Sequence, residues 1–509
     1  MNLHSSIFYG SKMKKVIIIG GGVSGMAAGI YLHDNGYDVT LYEKHNICGG
    51  LCTGYKRKNN NIDACAHFIV GTSQKSELFP LWKHIGAFDE NTKIYPTEYY
   101  SKYDIDGNII TFYSDLNKLK AELYKYGPDD KRKINSFIRG IKNYQRVKIP
   151  TKKPIDFMNI FELTAYGLSM FIMLPRLIKY KHTSVTEYAN KFKSPILKEL
   201  FLRLIDIRSN IHSVFYMLQA FSNGDAGMPE GGSLKMALNI EKRFKESDGN
   251  ILTSSEVDKI IIEDNKAKGI KLKNGGIDYA DYVISATDMH HTLFDLLDNK
   301  YQDKYYNEKF ENKTANPLNI VLYVVLNYKT NESKIDKMIN FATKDLDVLG
   351  YKISHITIRN YIFDKKLIND NNYTLTTIIK IDDKTADKIF NLSKEEYKAF
   401  KNSFGLRVRE EVKNHFDLND EEIELIDVAT PKTFNRYTNS YKGSWMAFLT
   451  TKKSKGLLKK GCIRGIDNFF MAGQWLMPPG GLPIALFNGK HAAQRVCKKD
   501  KKKFINKEQ

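Results

Sequence analysis

Cysteine is scarce in this chain. Its 509 residues include five, Cys48, Cys52, Cys65, Cys462 and Cys497, an odd set with no C-x-x-C pair and no zinc-like spacing. That excludes a disulfide framework, offers no metal ligands, and fits a reducing, cytoplasmic compartment. Long apolar runs are missing too. The uncharged stretch 163–174 is about a dozen residues, against the roughly 20 that cross a bilayer. Lys14 and Lys15 before the apolar residues 16–32 imitate a signal peptide, but no small-residue cleavage site follows. No internal repeat is visible. The formal charge of +20 is not gathered into an Arg-rich patch interleaved with aromatics. Lysine is enriched together with asparagine along the whole chain, so no nucleic-acid partner is expected.

What is present describes a folded protein, 42% hydrophobic, 27% charged and 12% aromatic. The length suits two or three lobes with a site between them. Residues 1–12 are expected to form a loose tail, or to reflect an upstream start with Met13 the true one. Val16-Ile17-Ile18-Ile19 then has the pattern of a parallel strand buried on both faces. A G-x-G-x-x-G follows at Gly20, Gly22 and Gly25. Gly20 permits a tight turn, Gly22 lets the backbone approach a pyrophosphate, and Gly25 lets the next helix pack closely on the strand. The phosphates sit at that helix's N-terminus, where free N–H groups and the macrodipole favour anions. Gly36 caps the helix, Val39–Tyr42 forms the second strand, and Glu43 ends it. An acidic group there accepts hydrogen bonds from an adenosine ribose and repels a 2′-phosphate, which favours FAD or NAD over NADP. No second G-x-G-x-x-G occurs, so a dedicated pyridine-nucleotide domain is not expected and the electron partner is unassigned.

Farther along, residues 104–109 read as a hairpin through an Asp-Gly turn. Leu116, Leu119 and Leu123, then Ile134, Phe137, Ile138 and Ile141, repeat at helical spacing. The breaker cluster 228–233 returns the chain to the first lobe, and short strands from Val257 to Tyr279 form a meander closed by Tyr282–Asp288. Apolar strands are predicted at Ile320–Leu326 and Tyr373–Ile379, and a Ser393/Glu396 capping box opens a helix reaching Phe416. Near the C-terminus, 467–475 reads as a strand ending at Gly473 and 478–483 as a rigid loop. Pro483 suits the first position of a helix running to about Val496.

Gly49-Gly50, just after Glu43, resembles the extended FAD signature of the amine-oxidase and phytoene-desaturase superfamily; Leu51 stands where many members carry arginine. With the C-terminal segment, the chain resembles the phytoene desaturase, carotenoid isomerase and retinol saturase group of FAD oxidoreductases over residues 16–71, 226–290 and 467–497. The resemblance implies an α/β, Rossmann-type FAD-binding domain from 13–74, 229–299 and 456–497. A mixed α+β substrate domain comes from 75–228 and 300–455, and a basic tail from 498–509. The FAD contacts implied are Gly20, Gly22, Gly25, Glu43, Lys44, Gly49, Gly50, the Val257 backbone, Gly473, Gly481 and Leu482. The last helix would point its N-terminus at the flavin edge that gains charge on reduction. Asn61–Phe68 is similar to the family motif that brings the chain beside the flavin, and His67 within it is the candidate catalytic acid or base. Asp63, Arg208 and His212 are alternatives without a positional argument.

The implied reaction is desaturation, saturation or isomerisation of carbon–carbon double bonds in an apolar carotenoid, retinoid-like or other lipid substrate, by hydride transfer to or from flavin N5. Two other readings stand beside it: an amine-oxidase-type enzyme, and a flavin-free prenyl- or lipid-binding protein of the GDP-dissociation-inhibitor type, since fold does not dictate function. The stretch 163–174, followed by Arg176, Lys179 and Lys181, is either a core helix or a segment that dips into an anionic leaflet. The latter would place the protein peripherally at the inner face of a membrane, with the lysines of 498–503 assisting.

Overall fold

The β-branched run after Lys14 becomes the centre of a parallel sheet. In the computed structural model, which describes residues 13–65, 68–145, 147–171, 174–301, 304–368, 371–455 and 459–508, strand Lys15–Ile19 lies between Asp38–Tyr42 and Tyr282–Ser285. Asn250–Leu252 and Phe469–Met471 form the edges, and every pair is parallel. Residues 16–18 have no exposed surface: helices cover Val16 and Ile18 on one face, and the meander residues Val257, Ile260 and Ile270 cover Ile17 on the other. The dinucleotide helix Val23–Asp34 packs on the C-terminal helix Leu482–Lys499 at near-backbone contact: a Cβ on Gly489 would lie 2.4 Å from the Ser24 carbonyl oxygen. The expected meander is an antiparallel trio, Val257–Glu263, Lys266–Leu272 and Ile277–Tyr279.

A second, larger sheet opposes the first. Its order is Ile423–Ala429, Leu318–Lys329, Asn372–Ile381, Tyr351–Asn360, Met338–Val348, Tyr99–Ile105 and Asn108–Tyr113, with Ser444–Phe448 paired to the start of Leu318–Lys329. One face buries Leu322, Leu375 and Ile379 against Phe404, Val408 and Val412 of helix Lys394–Phe416. The other face packs Val321, Tyr323 and Val325 toward Leu51, Ile62 and Trp445. The two predicted apolar strands are thus direct neighbours, longer than expected at both ends. Asp106 and Gly107 both take positive φ, 53° and 79°, as a type I′ hairpin requires. The Ser393 capping box is formed reciprocally.

One expectation is corrected. The stretch 163–174 is not a core helix: helix Ile160–Phe171 buries none of its residues, and Phe161 is 81% and Ile160 70% exposed. Residues 498–508 are largely exposed but tethered. The last helix continues to Lys499, and the chain beyond it straps the outer side of the dinucleotide helix. Tyr37 Oη donates to Asp500 at 2.9 Å, the Ile505 N–H donates to Asn35 Oδ1 at 2.7 Å, and Lys490 Nζ pairs with Glu508 at 2.6 Å. Two of the tail's exposed lysines reach back to the first helix, Lys507 to Asp34 and Lys502 to the Asn35 carbonyl.

Candidate active site

The site lies outside the carboxyl ends of the parallel strands, where doubly wound sheets bind ligands. A cavity there holds about 1810 Å³ of atom-free space, its open mouth included. At its phosphate end the Gly20 N–H donates to the Tyr42 carbonyl at 2.8 Å, with Gly20 at φ +100°. Gly22 is unobstructed: a Cβ there would meet nothing closer than 4.0 Å. The second glycine pair lies alongside, because Gly49 N–H donates to the Gly21 carbonyl at 2.8 Å and bridges Gly22 in parallel. Ser24 Oγ, in the first turn of the helix and on the cavity wall, is buried with no hydrogen-bond partner. An open glycine cradle with an orphaned hydroxyl at a helix N-terminus fits a pyrophosphate.

At the ribose end, Glu43 is buried and held by the N–H groups of Gly21 (2.7 Å) and His45 (2.8 Å); burial nonetheless pushes its carboxyl pKa up. Lys44 points at Asn439 and lies 3.6 Å from Glu256. Val257 begins the meander on the same wall. At the far end, Gly473 (φ +119°) has no neighbour within 4 Å of a notional Cβ, and Gln474 Oε1 accepts from the Gly481 N–H at 3.0 Å. Residues 481–485 present the start of the last helix to the cavity, with Leu482 as its first residue and Pro483 its second, one position later than expected.

Of the expected contacts, Gly20, Gly22, Glu43, Lys44, Gly49, Gly50, Val257, Gly473, Gly481 and Leu482 all line this one cavity. Gly25 does not. It acts through packing, since a Cβ there would fall 2.0 Å from the Gly20 carbonyl oxygen. His67 lies outside the described residues, although Cys65 and Phe68 on either side of it line the wall. The alternatives are structural. Asp63 accepts from Ser233 N–H (2.6 Å), Ser233 Oγ (2.9 Å) and Cys65 N–H (3.0 Å), clamping two segments together. Arg208 forks onto Asp206 at 3.0 and 2.7 Å, and His212 bonds Tyr144 and the Leu177 carbonyl.

Sequence reasoning missed Ser24, which sits inside the motif itself, and Asp288, which ends the strand-and-turn stretch it did single out. It also missed residues 437–440 and 444–446, which carry no local signal and reach the cavity only through the fold. Asp288 accepts from the N–H groups of His290 (2.8 Å), Tyr441 (3.0 Å) and His291 (3.2 Å), yet burial pushes its carboxyl up to about 7. The folded protein therefore holds a proton that the unfolded chain releases at the ordinary carboxylate value. The stability this contributes is complete below about pH 4 and is lost as pH rises through about 7. Melting temperatures between those limits should fall less steeply in Asp288→Asn than in the parent; equal slopes would show that Asp288 does not titrate there.

A sequence model of the family "Flavin containing amine oxidoreductase" matches residues 23–497. Relatives extend along the whole chain. A 4,4'-diaponeurosporene oxygenase of Staphylococcus haemolyticus is 24% identical over 95% of this chain and 97% of its own. A 4,4'-diapophytoene desaturase (4,4'-diapolycopene-forming) of a Methylomonas species is 22% identical over 96% of each. Among solved structures, a putrescine oxidase variant superposes with a TM-score of 0.63 at 15% identity, covering 96% of this chain and 99% of its own. An oxidoreductase from Methanosarcina mazei gives 0.60 at 16%, covering 95% and 100%. Those structures establish the fold, and the family match spans both lobes. The chain belongs to the flavin-containing amine oxidoreductase family and is an FAD-dependent oxidoreductase of its phytoene-desaturase-like branch.

Proposed function

We propose that this enzyme oxidises carbon–carbon bonds of a polyene lipid, with desaturation as its direction. The observation that carries this reading is the full-length likeness to a diapophytoene desaturase and a diaponeurosporene oxygenase, which includes the substrate lobe. The cavity supports it. Its walls beyond the glycine clusters carry Phe68, Ile69, Val70, Trp445 and Trp475, apolar surface suited to a hydrocarbon chain.

FAD bound here supplies a hydride acceptor. The protein's part is to hold the chain across the flavin, exclude water, and carry one proton away, a role we assign to His67 between two wall residues. Anaerobic titration with a polyene such as 4,4'-diapophytoene should bleach the flavin absorbance of the holoprotein. His67→Ala should slow that bleaching about 10²-fold or more. No bleaching by any polyene would end the desaturase reading, and full-rate bleaching by the variant would end the role of His67.

We further propose that the enzyme draws this lipid from the inner face of an anionic membrane. The exposed apolar helix Ile160–Phe171, bent by 63° from Leu174–Tyr180, supports this. The exposed Lys148, Lys152, Lys179 and Lys181 flank it, as anionic headgroups would require. No single helix among the described residues is long and apolar enough to cross a membrane. The protein should float with anionic liposomes, and Phe161→Glu/Leu168→Glu should stay at the bottom of the gradient. Equal flotation of both would rule the helix out.

A further inference from the structure

The flavin cavity has a neighbour, a slimmer recess of about 600 Å³ of atom-free space with its mouth included. One small sheet contributes to both. Its edge strand Ile69–Val70 lines the flavin cavity, the middle strand Ala226–Pro229 brings Met228 to the recess, and the far strand Ile94–Pro96 sets Tyr95 there, directly opposite Met228. Phe68, the residue after His67, is a wall of both spaces. Its ring meets Phe221 edge-on with centroids 4.6 Å apart, and Phe221 meets Tyr100 in the same way at 5.2 Å; both partners line the recess.

The recess leads from the surface inward. Pro96, Glu98 and Lys337 on its lining are exposed, whereas Phe221, Met228 and Tyr361 are 4%, 1% and 4% exposed. Its rim is thus charged and its interior mostly aromatic and thioether surface, which favours an apolar chain over water inside. Chemistry in the middle of a chain gives such a neighbour a use. An interior bond can be held against flavin N5 only if the chain continues past the flavin on both sides, so its two flanks need two apolar spaces. A group oxidised at the end of a chain needs only one.

We propose that the recess receives the far end of a long acyclic polyene, which passes Phe68 and lies between Tyr100, Phe221 and Met338 while an interior bond faces the flavin. Its other flank stays in the open mouth of the main cavity. This deepens the proposed function and rests on it for the identity of the chain. The test blocks the recess after folding. Cys462 is the exposed cysteine and the other four are buried, so Met338→Cys is made in a Cys462→Ser background and loaded with FAD. Benzyl methanethiosulfonate then fills the recess through a mixed disulfide, which dithiothreitol releases. Two quantities are read: 4,4'-diapophytoene and its products retained per flavin after gel filtration, and the rate of anaerobic bleaching. Blocking should lower both about 10-fold or more, because chain carbons kept out of the recess forfeit their burial. Release should restore both, the Cys462→Ser protein given the same reagent should not change, and flavin content reports that each form stays folded. Undiminished retention and bleaching in the blocked protein would overturn the channel and leave the desaturase reading standing. Retention that blocking abolishes, without any bleaching, would uphold the channel and end the desaturase reading. No retention by the unblocked protein would overturn the channel as well.

Discussion

Gly25→Val should purify without flavin. The new Cβ would fall 2.0 Å from the Gly20 carbonyl oxygen, and its neighbours across the turn are the Gly20 carbonyl carbon at 3.2 Å and Ala286 Cβ at 3.3 Å. Neither backbone partner can rotate away as a flexible side chain would, so the helix has to withdraw by more than an ångström. That displacement moves the N–H groups and Ser24 off the pyrophosphate, and overpacking of this kind costs about 1–3 kcal/mol besides. We expect flavin content to fall below about one-tenth of the parent's, since anion binding at a helix N-terminus depends on close N–H approach. Gly167→Ala is the control. Gly167 lies on the exposed helix with nothing within 4 Å of a Cβ, so that variant should stay yellow. A yellow Gly25→Val would mean that the tight turn is not what holds the cofactor.

Asp63→Ala should lose stability before it loses chemistry. Removing the carboxylate leaves the Ser233 N–H, the Ser233 hydroxyl and the Cys65 N–H without their acceptor, all in a buried setting. Each unmet donor costs about 1–3 kcal/mol, which predicts a fall of several degrees or more in melting temperature. Flavin should be lost with it, because Cys65 lines the cavity and Ser233 lies in the first turn of helix Gly232–Lys245. A carboxylate that served only as a proton carrier behaves differently. A variant that melts like the parent and keeps its flavin, yet no longer turns over, would restore Asp63 as a catalytic candidate.

The legible parts of this protein are those whose physics is local. The strand after Lys14, the three glycines and Glu43 follow one another within 30 residues, and each has a steric or electrostatic task that a short sequence states outright. The same holds for the Asp106-Gly107 turn and the Ser393 capping box. The strands Met338–Val348 and Tyr351–Asn360 were not foreseen. Met338–Val348 mixes polar and apolar residues without a clear strand signal; it pairs with Tyr351–Asn360 across the Leu349-Gly350 turn and joins Tyr99–Ile105, more than two hundred residues earlier, by a short parallel pairing. Residues 163–174 mislead for the opposite reason: their apolarity suits a core and a lipid surface equally, and only packing chooses between them.

By itself, then, the sequence determined where a dinucleotide binds, because a phosphate cradle is built from backbone geometry that glycine spacing encodes directly; that the dinucleotide is FAD was implied by the family resemblance of Gly49-Gly50 and the C-terminal segment. The tertiary structure decided everything that depends on which distant segments meet. It placed residues 437–440 and 444–446 on the cavity wall, turned Asp63 and His212 into structural bonds, tied the basic tail onto Asn35 and Tyr31, and left helix Ile160–Phe171 uncovered. A side chain's environment is set by its neighbours in space, and a two-residue alternation tells which side of a strand it occupies without telling what lies there.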